Sequence, residues 1–310
     1  MTFSILIPSY KDTFLAECLD SCLSQTYSDY EIIVVNDSSP YDLDSIVEKY
    51  KNPKLHYYKN ETGYGAEKLV DNWNHCLQLS SGDYVLCIGD DDKLKPCCLE
   101  NYQQLIVSHP GLDVYHTRME IIDTDSNVVT IQEERPTTES VFSMIWHFWH
   151  GRRQVIGDWC FKAETMKENG GFFPLPYAWS SDNLTAFKYA IKKGVANTNI
   201  PGFQYRESSI TLTSKHTHST IEGKIKAWKE VESWYKQFLQ EVEATNDIDK
   251  IYKKNIAELL ERYINRKIEG EIEAGIHDYP YSLMKWLKTG KTAGLSRLQI
   301  LRYFTKNILF

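Results

Sequence analysis

The sequence predicts an α/β fold, a layered and mostly parallel sheet with helices on both faces, followed by a helical C-terminal extension. Two observations predict it. Over the first hundred residues, short apolar runs alternate with stretches of helical spacing, the pattern of parallel strands joined by crossover helices. From about Ile221 to Ala274 the pattern becomes helical and polar, with long charged segments. A chain of 310 residues is long enough to bury a substantial core.

The elements follow in order. Phe3–Pro8 is an apolar run of the kind a buried parallel strand shows, and Leu15, Cys18, Leu19, Cys22 and Leu23 then fall at helical spacing. Glu31–Val35 reads as a second strand and Leu43–Tyr50 as a helix. Leu55–Tyr58 reads as a third strand, Glu67–Leu79 as a helix, and Asp83–Ile88 as a fourth strand ended by Gly89 and three aspartates. Val114–Ile122 and Val128–Ile131 suit a hairpin across Asp125-Ser126-Asn127. An aromatic cluster (Trp146, Phe148, Trp149) and a Gly170-Gly171 turn follow. The expected organisation is an α/β domain over 1–215, with halves 1–100 and 101–215, and a helical extension over 216–310.

Composition narrows the function classes. With 42% apolar and 25% charged residues the chain is a folded protein, and a net charge of −7 gives no support to nucleic-acid binding. The seven cysteines are odd in number, sit mostly in apolar stretches and lack paired zinc spacing. They are read as reduced thiols of a cytoplasmic protein, and the start MTFSILIPSYKD shows no cationic leader. No apolar run reaches the roughly eighteen residues a membrane span needs.

In doubly wound sheets, ligands bind where the strands end. Here those ends read Pro8-Ser9-Tyr10, Asn36-Asp37-Ser38-Ser39 and Gly89-Asp90-Asp91-Asp92, so polar and acidic groups converge on one rim. No GxGxxG follows the first strand, which argues against a dinucleotide-binding domain. Three adjacent carboxylates repel one another. They call for solvent, a helix to cap or a cation, and Mg²⁺ or Mn²⁺ takes oxygen ligands and is shared with substrate phosphates.

The ordered series "IPSY", "LSQTY", "EIIVVND", "NWNHCL", "SGDY" and "DDDKLKP" resembles the family-2 glycosyltransferases of the GT-A fold, and "GGF" (170–172) followed by Ser181-Asp182 resembles that family's acceptor-side motif. The resemblance covers about residues 1–210. It implies an inverting transfer of a sugar from a nucleotide-diphosphate donor, UDP-linked by expectation, to a hydroxyl of a glycan or lipid-linked glycan. It also implies dependence on Mn²⁺ or Mg²⁺. By position, Pro8, Ser9 and Tyr10 would line the uracil and ribose pocket, and Asp37 would bind the base edge. Asn60 and Lys68 would help hold the nucleotide, and Asp90 would reach the ribose. Asp91 would bind the metal, Asp92 would orient the loop, and Asp182 would be the catalytic base. His216 or His218 would add a metal or phosphate contact, the alternative being surface histidines.

The chain also departs from the family's pattern. Asn36 stands for the usual first Asp after the second strand, Gly89 for the first acid of Asp-x-Asp and Ser181 for a frequent Glu, while Lys68 is the cation nearest to a missing Arg. Several residues suit two roles. Asp182 also fits a helix N-cap, Arg206 a diphosphate contact or a structural ion pair, and Trp146, Trp149 and Trp179 an acceptor platform or core packing. Two rival functions remain. A sugar-phosphate nucleotidyltransferase would need a Gly-rich loop where "PSYKD" stands, and intact Asp37, Asp91 and Asp182 argue against a non-catalytic nucleotide-sugar-binding protein that kept the fold. Residues 285–310 combine Lys285, Lys288, Lys291, Arg297, Arg302 and Lys306 with large apolar side chains and no acid. That mix suits the inner face of the cytoplasmic membrane, or packing on the catalytic core or on a second subunit of a homo-oligomer.

Overall fold

The structure is a computed structural model that describes residues 1–207, 217–280 and 282–308. Its strands are β1 (Phe3–Ser9), β2 (Tyr30–Asn36), β3 (Leu55–Lys59), β4 (Tyr84–Cys87), β5 (Lys93–Leu94), β6 (Val114–Ile122), β7 (Val128–Ile131), β8 (Thr138–Glu139), β9 (Trp159–Lys162) and β10 (Val195–Arg206). Its helices are α1 (Leu15–Leu23), α2 (Leu43–Val47), α3 (Leu69–Leu79), α4 (Cys98–Ser108), α5 (Val141–Trp149), α6 (Ala163–Glu168) and α7 (Ser181–Ala190), then α8 (His218–Glu241), α9 (Asp247–Asp278), α10 (Leu283–Thr292) and α11 (Arg297–Ile308).

One sheet runs in the order β3-β2-β1-β4-β9-β6-β10-β5, with β7 added on β6 and β8 on β10. The parallel expectation holds for β3, β2, β1 and β4, which the chain links in the order β1, β2, β3, β4 through the helical crossovers α1, α2 and α3. The other half is mixed. β9 runs antiparallel to both β4 and β6, β6 and β10 are parallel, and β7 closes the expected hairpin on β6. An antiparallel strand needs no crossover helix, so β9 can enter between β4 and β6 from the opposite end.

Of the parallel half, β1, β2 and β4 are largely buried on both faces, as strands covered by helices on both sides are, whereas β3 at the sheet edge is partly exposed. Ile5, Ile7, Ile32, Val34, Leu86 and Ile88 pack with Leu15, Cys18, Leu19 and Cys22 of α1 and with Cys98, Leu99 and Tyr102 of α4. All seven cysteines are free thiols, and all but the partly covered Cys97 are buried.

The chain divides into two compact units, Met1–Pro174 with Ser181–Ser208, and Leu175–Ser180 with Ser209–Phe310. In the second, Ile256, Leu260, Ile264, Ile268, Ile272 and Ile276 of α9 form a buried stripe at four-residue spacing, and Ile221, Ile225, Trp228, Val231, Tyr235 and Phe238 of α8 are buried with it. The tail joins this unit. Trp286, Ile300 and Phe304 are buried, Lys306 pairs with Glu273, and Gln299 donates to Glu269. Each such buried side chain contributes about 1.5–3 kcal/mol, which favours the packed tail. Among the described residues of the tail, the exposed large apolar side chains are Met284, Leu298 and Leu301.

Candidate active site

Where β1 ends, Ser9 accepts from the Asp37 N–H at 2.9 Å, which ties the ends of β1 and β2 together. The next two amides, of Tyr10 and Lys11, both donate to Asp90 Oδ2 at 2.7 Å. Charged acceptors strengthen such bonds. Burial pushes the Asp90 carboxyl up to about 6, against the pull of Lys11 and with the charge of Asp91 adding to the rise. Asp92 is buried as well; its Oδ1 accepts from the Arg206 N–H at 2.9 Å and its Oδ2 from the Gly89 N–H at 3.2 Å. Burial, followed by Asp91, drives its pKa well above the ordinary value.

Asp91 is the triplet's outward carboxylate, partly exposed and in close contact with the Lys11 ammonium. Lys11 also lies 3.6 Å from Asp90 Oδ1. Burial works against its charge, but Asp90 and Asp91 outweigh it and raise its pKa. Gly89 stands before these acids for a steric reason: a Cβ there would lie 2.8 Å from Asp91 Oδ1 and 2.9 Å from Asp92 Oδ2. An acid at that position would crowd three carboxylates together.

Arg206, fully buried at the end of β10, holds this loop from behind. Its guanidinium donates to the carbonyls of Asp91 (2.8 Å), Asp123 (3.0 Å) and Thr124 (3.2 Å), to Glu17 (2.9 Å) and to Ser126 (3.1 Å). It also lies 4.1 Å from the centre of the Phe14 ring. Every N–H of an arginine has a role in that set, so of its two sequence readings the structural one holds.

Asp37 is buried and organises the loop after β3. Its Oδ1 accepts from Asn60 Nδ2 (2.9 Å) and the Tyr64 N–H (2.8 Å), and its Oδ2 from the Gly65 N–H (2.9 Å). Asn60 also donates to Asn72 of α3. Asn36 donates to Tyr57 Oη at 2.8 Å, a role an Asp could not fill. Tyr10 and Lys68 are exposed, Lys68 in a 3-10 turn over Ala66–Lys68, and Pro8 is partly covered on β1.

On the other side of the unit, "NWN" and "GGF" meet. Asn74 of α3 accepts from the Phe172 N–H at 2.8 Å and donates to its carbonyl at 3.3 Å. Gly171 has a φ of +71°, and a Cβ on it would lie 2.2 Å from Asn74 Oδ1, so glycine is required twice over. α7 follows with Asp182 in its first turn, and that aspartate does not cap the helix from outside. Its Oδ1 accepts from the Asn183 N–H (2.8 Å) and from Asn183 Nδ2 (2.7 Å). Burial pushes its carboxyl up to about 7, against the lowering by the amides of Asn183 and of Asp182 itself.

The register of β9 relates the two regions. Val85 lies opposite Phe161, so continuing the antiparallel pairing brings Asp158, just before β9, to the carboxyl end of β4, from which the acidic loop departs. Asp158 and Asp182 sense each other. Burial raises Asp158 to about 8, Arg135 opposes the rise, and Asp182 contributes to it.

His218, in the first turn of α8, lies 3.0 Å from Thr289 Oγ1 and packs its ring 5.0 Å from that of Trp286. His216 lies outside the described residues. Among the described residues, no three His, Cys, Asp or Glu side chains form a ligand set for a metal by themselves. Trp146 stacks on His150 within its own segment, and Trp179 donates to Glu271 within the helical unit. Sequence reasoning missed Lys11, although "PSYKD" carried it, as well as the Tyr64 and Gly65 amides, whose contact with Asp37 only the folded loop creates.

Residues 4–160 match the family model described as Glycosyl transferase family 2. The chain belongs to glycosyltransferase family 2. An uncharacterised glycosyltransferase of Rickettsia typhi is 25% identical over 248 residues, 77% of this chain and 72% of that one. Three further curated relatives, at 30–31% identity, are matched over less than half of their own length. In fold, the chain is similar to Staphylococcus aureus TarS 1-349, whose structure holds UDP-GlcNAc, with a TM-score of 0.66 at 17% identity over 99% of this chain and 90% of that one. It is also similar to a mannosyltransferase of Pyrobaculum calidifontis in complex with GDP-Man and Mn²⁺, with a TM-score of 0.54 at 16% identity over 99% and 86%. This glycosyltransferase therefore has the GT-A-like fold the motifs implied, with a mixed sheet whose first half is parallel.

Proposed function

We propose that this glycosyltransferase moves a sugar, with inversion, from a nucleoside-diphosphate donor to a hydroxyl of a glycan or lipid-linked glycan, with Asp182 as the base. The observation that carries the reading is the Asp182 carboxyl itself. It is enclosed enough to titrate near 7, it is held through Oδ1, and it has no hydrogen bond on Oδ2 among the described residues. A base poised near the working pH removes a proton most effectively and contributes about 10²–10⁴-fold.

The loops after β1, β2 and β3 form the nucleoside side. Pro8, Ser9 and Tyr10 present the strand end, and Asp37 shapes the Asn60–Gly65 loop with Asn60 and the two amides. Lys11 carries positive charge to the rim and would meet the diphosphate, and Lys68, in the 3-10 turn after the Asn60–Gly65 loop, would add a second cation. UDP is the favoured nucleotide, although the two structural neighbours hold UDP-GlcNAc and GDP-Man, so the fold alone leaves the base open.

A divalent cation fits one position. Asp91 is the triplet's outward carboxylate and already has an ammonium against it, so the site attracts a cation, whereas Asp90 and Asp92 are occupied by backbone amides. Asp91 would hold Mn²⁺ or Mg²⁺ together with donor phosphates, and that ion would neutralise the charge released on the diphosphate. Lys11, released from Asp91, would then turn to the phosphates. Asp90 holds the β1 loop through its amide contacts, and Asp92 with Arg206 fixes the acidic loop in place.

In the chemical step the acceptor oxygen bonds to the anomeric carbon from the face opposite the diphosphate. The bond to the diphosphate oxygen breaks with its electron pair, and the hydroxyl proton passes to Asp182 Oδ2. Inversion follows from that geometry. Assay against a panel of UDP- and GDP-sugars, with the anomeric configuration of the product read by NMR, tests it; a product that retains the donor's configuration overturns it. The exposed cations and Met284, Leu298 and Leu301 of the tail would bring the enzyme to the inner face of a membrane bearing such acceptors. Among the described residues, no helix is long and apolar enough to cross one.

A further inference from the structure

We propose that Gln154 and Arg135 are positioning residues for the transfer, acting through Asn183 to hold and orient Asp182. The proposal rests on the reading of Asp182 as the base. Four residues from three separate stretches of chain form one line of hydrogen bonds. Arg135 Nη2 donates to Gln154 Oε1 at 3.3 Å, Gln154 Nε2 to Asn183 Oδ1 at 2.9 Å, and Asn183 Nδ2 to Asp182 Oδ1 at 2.7 Å.

The direction of this line is dictated by its ends. A guanidinium only donates, so Gln154 must turn its oxygen toward Arg135 and its amide nitrogen toward Asn183. Asn183 must then show its oxygen to Gln154 and its nitrogen to Asp182. An ionised carboxylate only accepts, which is what that nitrogen requires. A lone Asn beside an aspartate could rotate by half a turn and set oxygen against oxygen; here a buried cation forbids the rotation.

Arg135 is suited to anchor the line. It is almost fully buried, and its backbone is clamped by Asn199, which accepts from the Arg135 N–H and donates to its carbonyl, both at 3.0 Å. Its guanidinium lies 5.2 Å from the Trp159 ring. Gln154 is buried as well, so water does not compete for either amide. With both amide bonds on Oδ1, Asp182 Oδ2 is the oxygen kept for the acceptor's proton.

The surrounding elements bring other titratable groups. They are Asp158 before β9, His116 on β6, Glu139 on β8, Arg152 and His147 at the end of α5 and beyond, and Arg135 itself. Arg152 is paired with Glu139 at 2.8 Å. His116 is held neutral by burial and by Arg135 and Arg152. Asp158 is the group whose ionisation couples to that of Asp182. Donation from Asn183 favours ionised Asp182, so losing the line moves the base's titration upward.

The test uses Gln154→Met, which removes both links, and Gln154→Glu, which keeps a partner for Arg135 but cannot donate to Asn183. The readout is the pH dependence of kcat/KM, with donor binding by each variant as the check on folding. The acid limb should move up by about half a unit to one unit, and kcat at neutral pH should fall about tenfold with the donor KM little changed. In an Asp182→Asn background, with its residual rate, neither substitution should have any further effect. An acid limb unmoved in both variants, where Asp182→Asn itself lowers turnover by orders of magnitude, overturns the relay and leaves the base standing. Near-normal turnover by Asp182→Asn overturns the base reading instead.

Discussion

The ammonium of Lys11 lies against the carboxylate of Asp91, so the acidic loop and the loop after β1 are joined by a cation even without substrate. The two neighbours of Asp91 are built into the backbone, Asp90 by the Tyr10 and Lys11 amides and Asp92 by those of Gly89 and Arg206. Only Asp91 is placed to exchange one cation for another.

Asp91→Ala should therefore abolish transfer and remove the Mn²⁺-dependent part of UDP binding, while a weaker metal-independent part persists through the β1 and β3 loops. Calorimetric titration of UDP with and without Mn²⁺ reads both parts. Metal-dependent binding that survived the substitution would sink the assignment.

Asp182 sets the second expectation. Its carboxyl is raised by burial from an ordinary 3.8 to about 7, and the base must be ionised to accept a proton. Activity should therefore be full above that value and decline tenfold per unit as the pH falls below it, in kcat/KM for the free enzyme. Asp182→Asn should lower kcat by about 10²–10⁴-fold with donor affinity nearly unchanged. A flat profile between pH 5 and 8 would contradict the reading.

Arg206 is a matter of stability. Arg206→Met leaves three carbonyls and Ser126 without that donor and removes the guanidinium from the partly exposed Glu17, a loss of about 1–3 kcal/mol. Denaturant unfolding should show it, and Arg206→Lys should recover only part, since an ammonium cannot span that fork. A shift under about 1 kcal/mol for Arg206→Met would mean that the loop is held some other way.

The tail yields a salt-sensitive expectation. Because Trp286, Ile300 and Phe304 are packed inside, contact with an anionic membrane would rest mainly on Lys285, Lys288, Lys291, Arg297 and Arg302, each contributing about 1 kcal/mol near the surface. Sedimentation with anionic vesicles should be evident at low salt and lost at high salt, and charge reversal at Lys285, Lys288 and Arg302 should abolish it. Equal sedimentation of wild type and variant would rule out this surface.

By itself, the order of apolar runs and polar strand ends determined the alternation of strands and helices, the β6–β7 hairpin and the rim on which Asp37 and Asp90–Asp92 sit. Those features follow from local periodicity and from motifs that are contiguous in the chain, and this was enough to point to the family. The antiparallel insertion of β9 was not legible, because a four-residue strand carries no mark of its direction. The division of labour within Asp90-Asp91-Asp92 was equally hidden. Three identical side chains differ only in what the fold sets against them: amides for the outer two, Lys11 for the middle one. Arg206 looked as suited to a diphosphate as to an ion pair, and its burial among carbonyls from two loops decided the matter. The line from Arg135 to Asp182 joins residues up to 48 positions apart whose types are ordinary taken singly. Such long-range polar contacts form only when the packed chain excludes water from them, and only the tertiary structure could decide them.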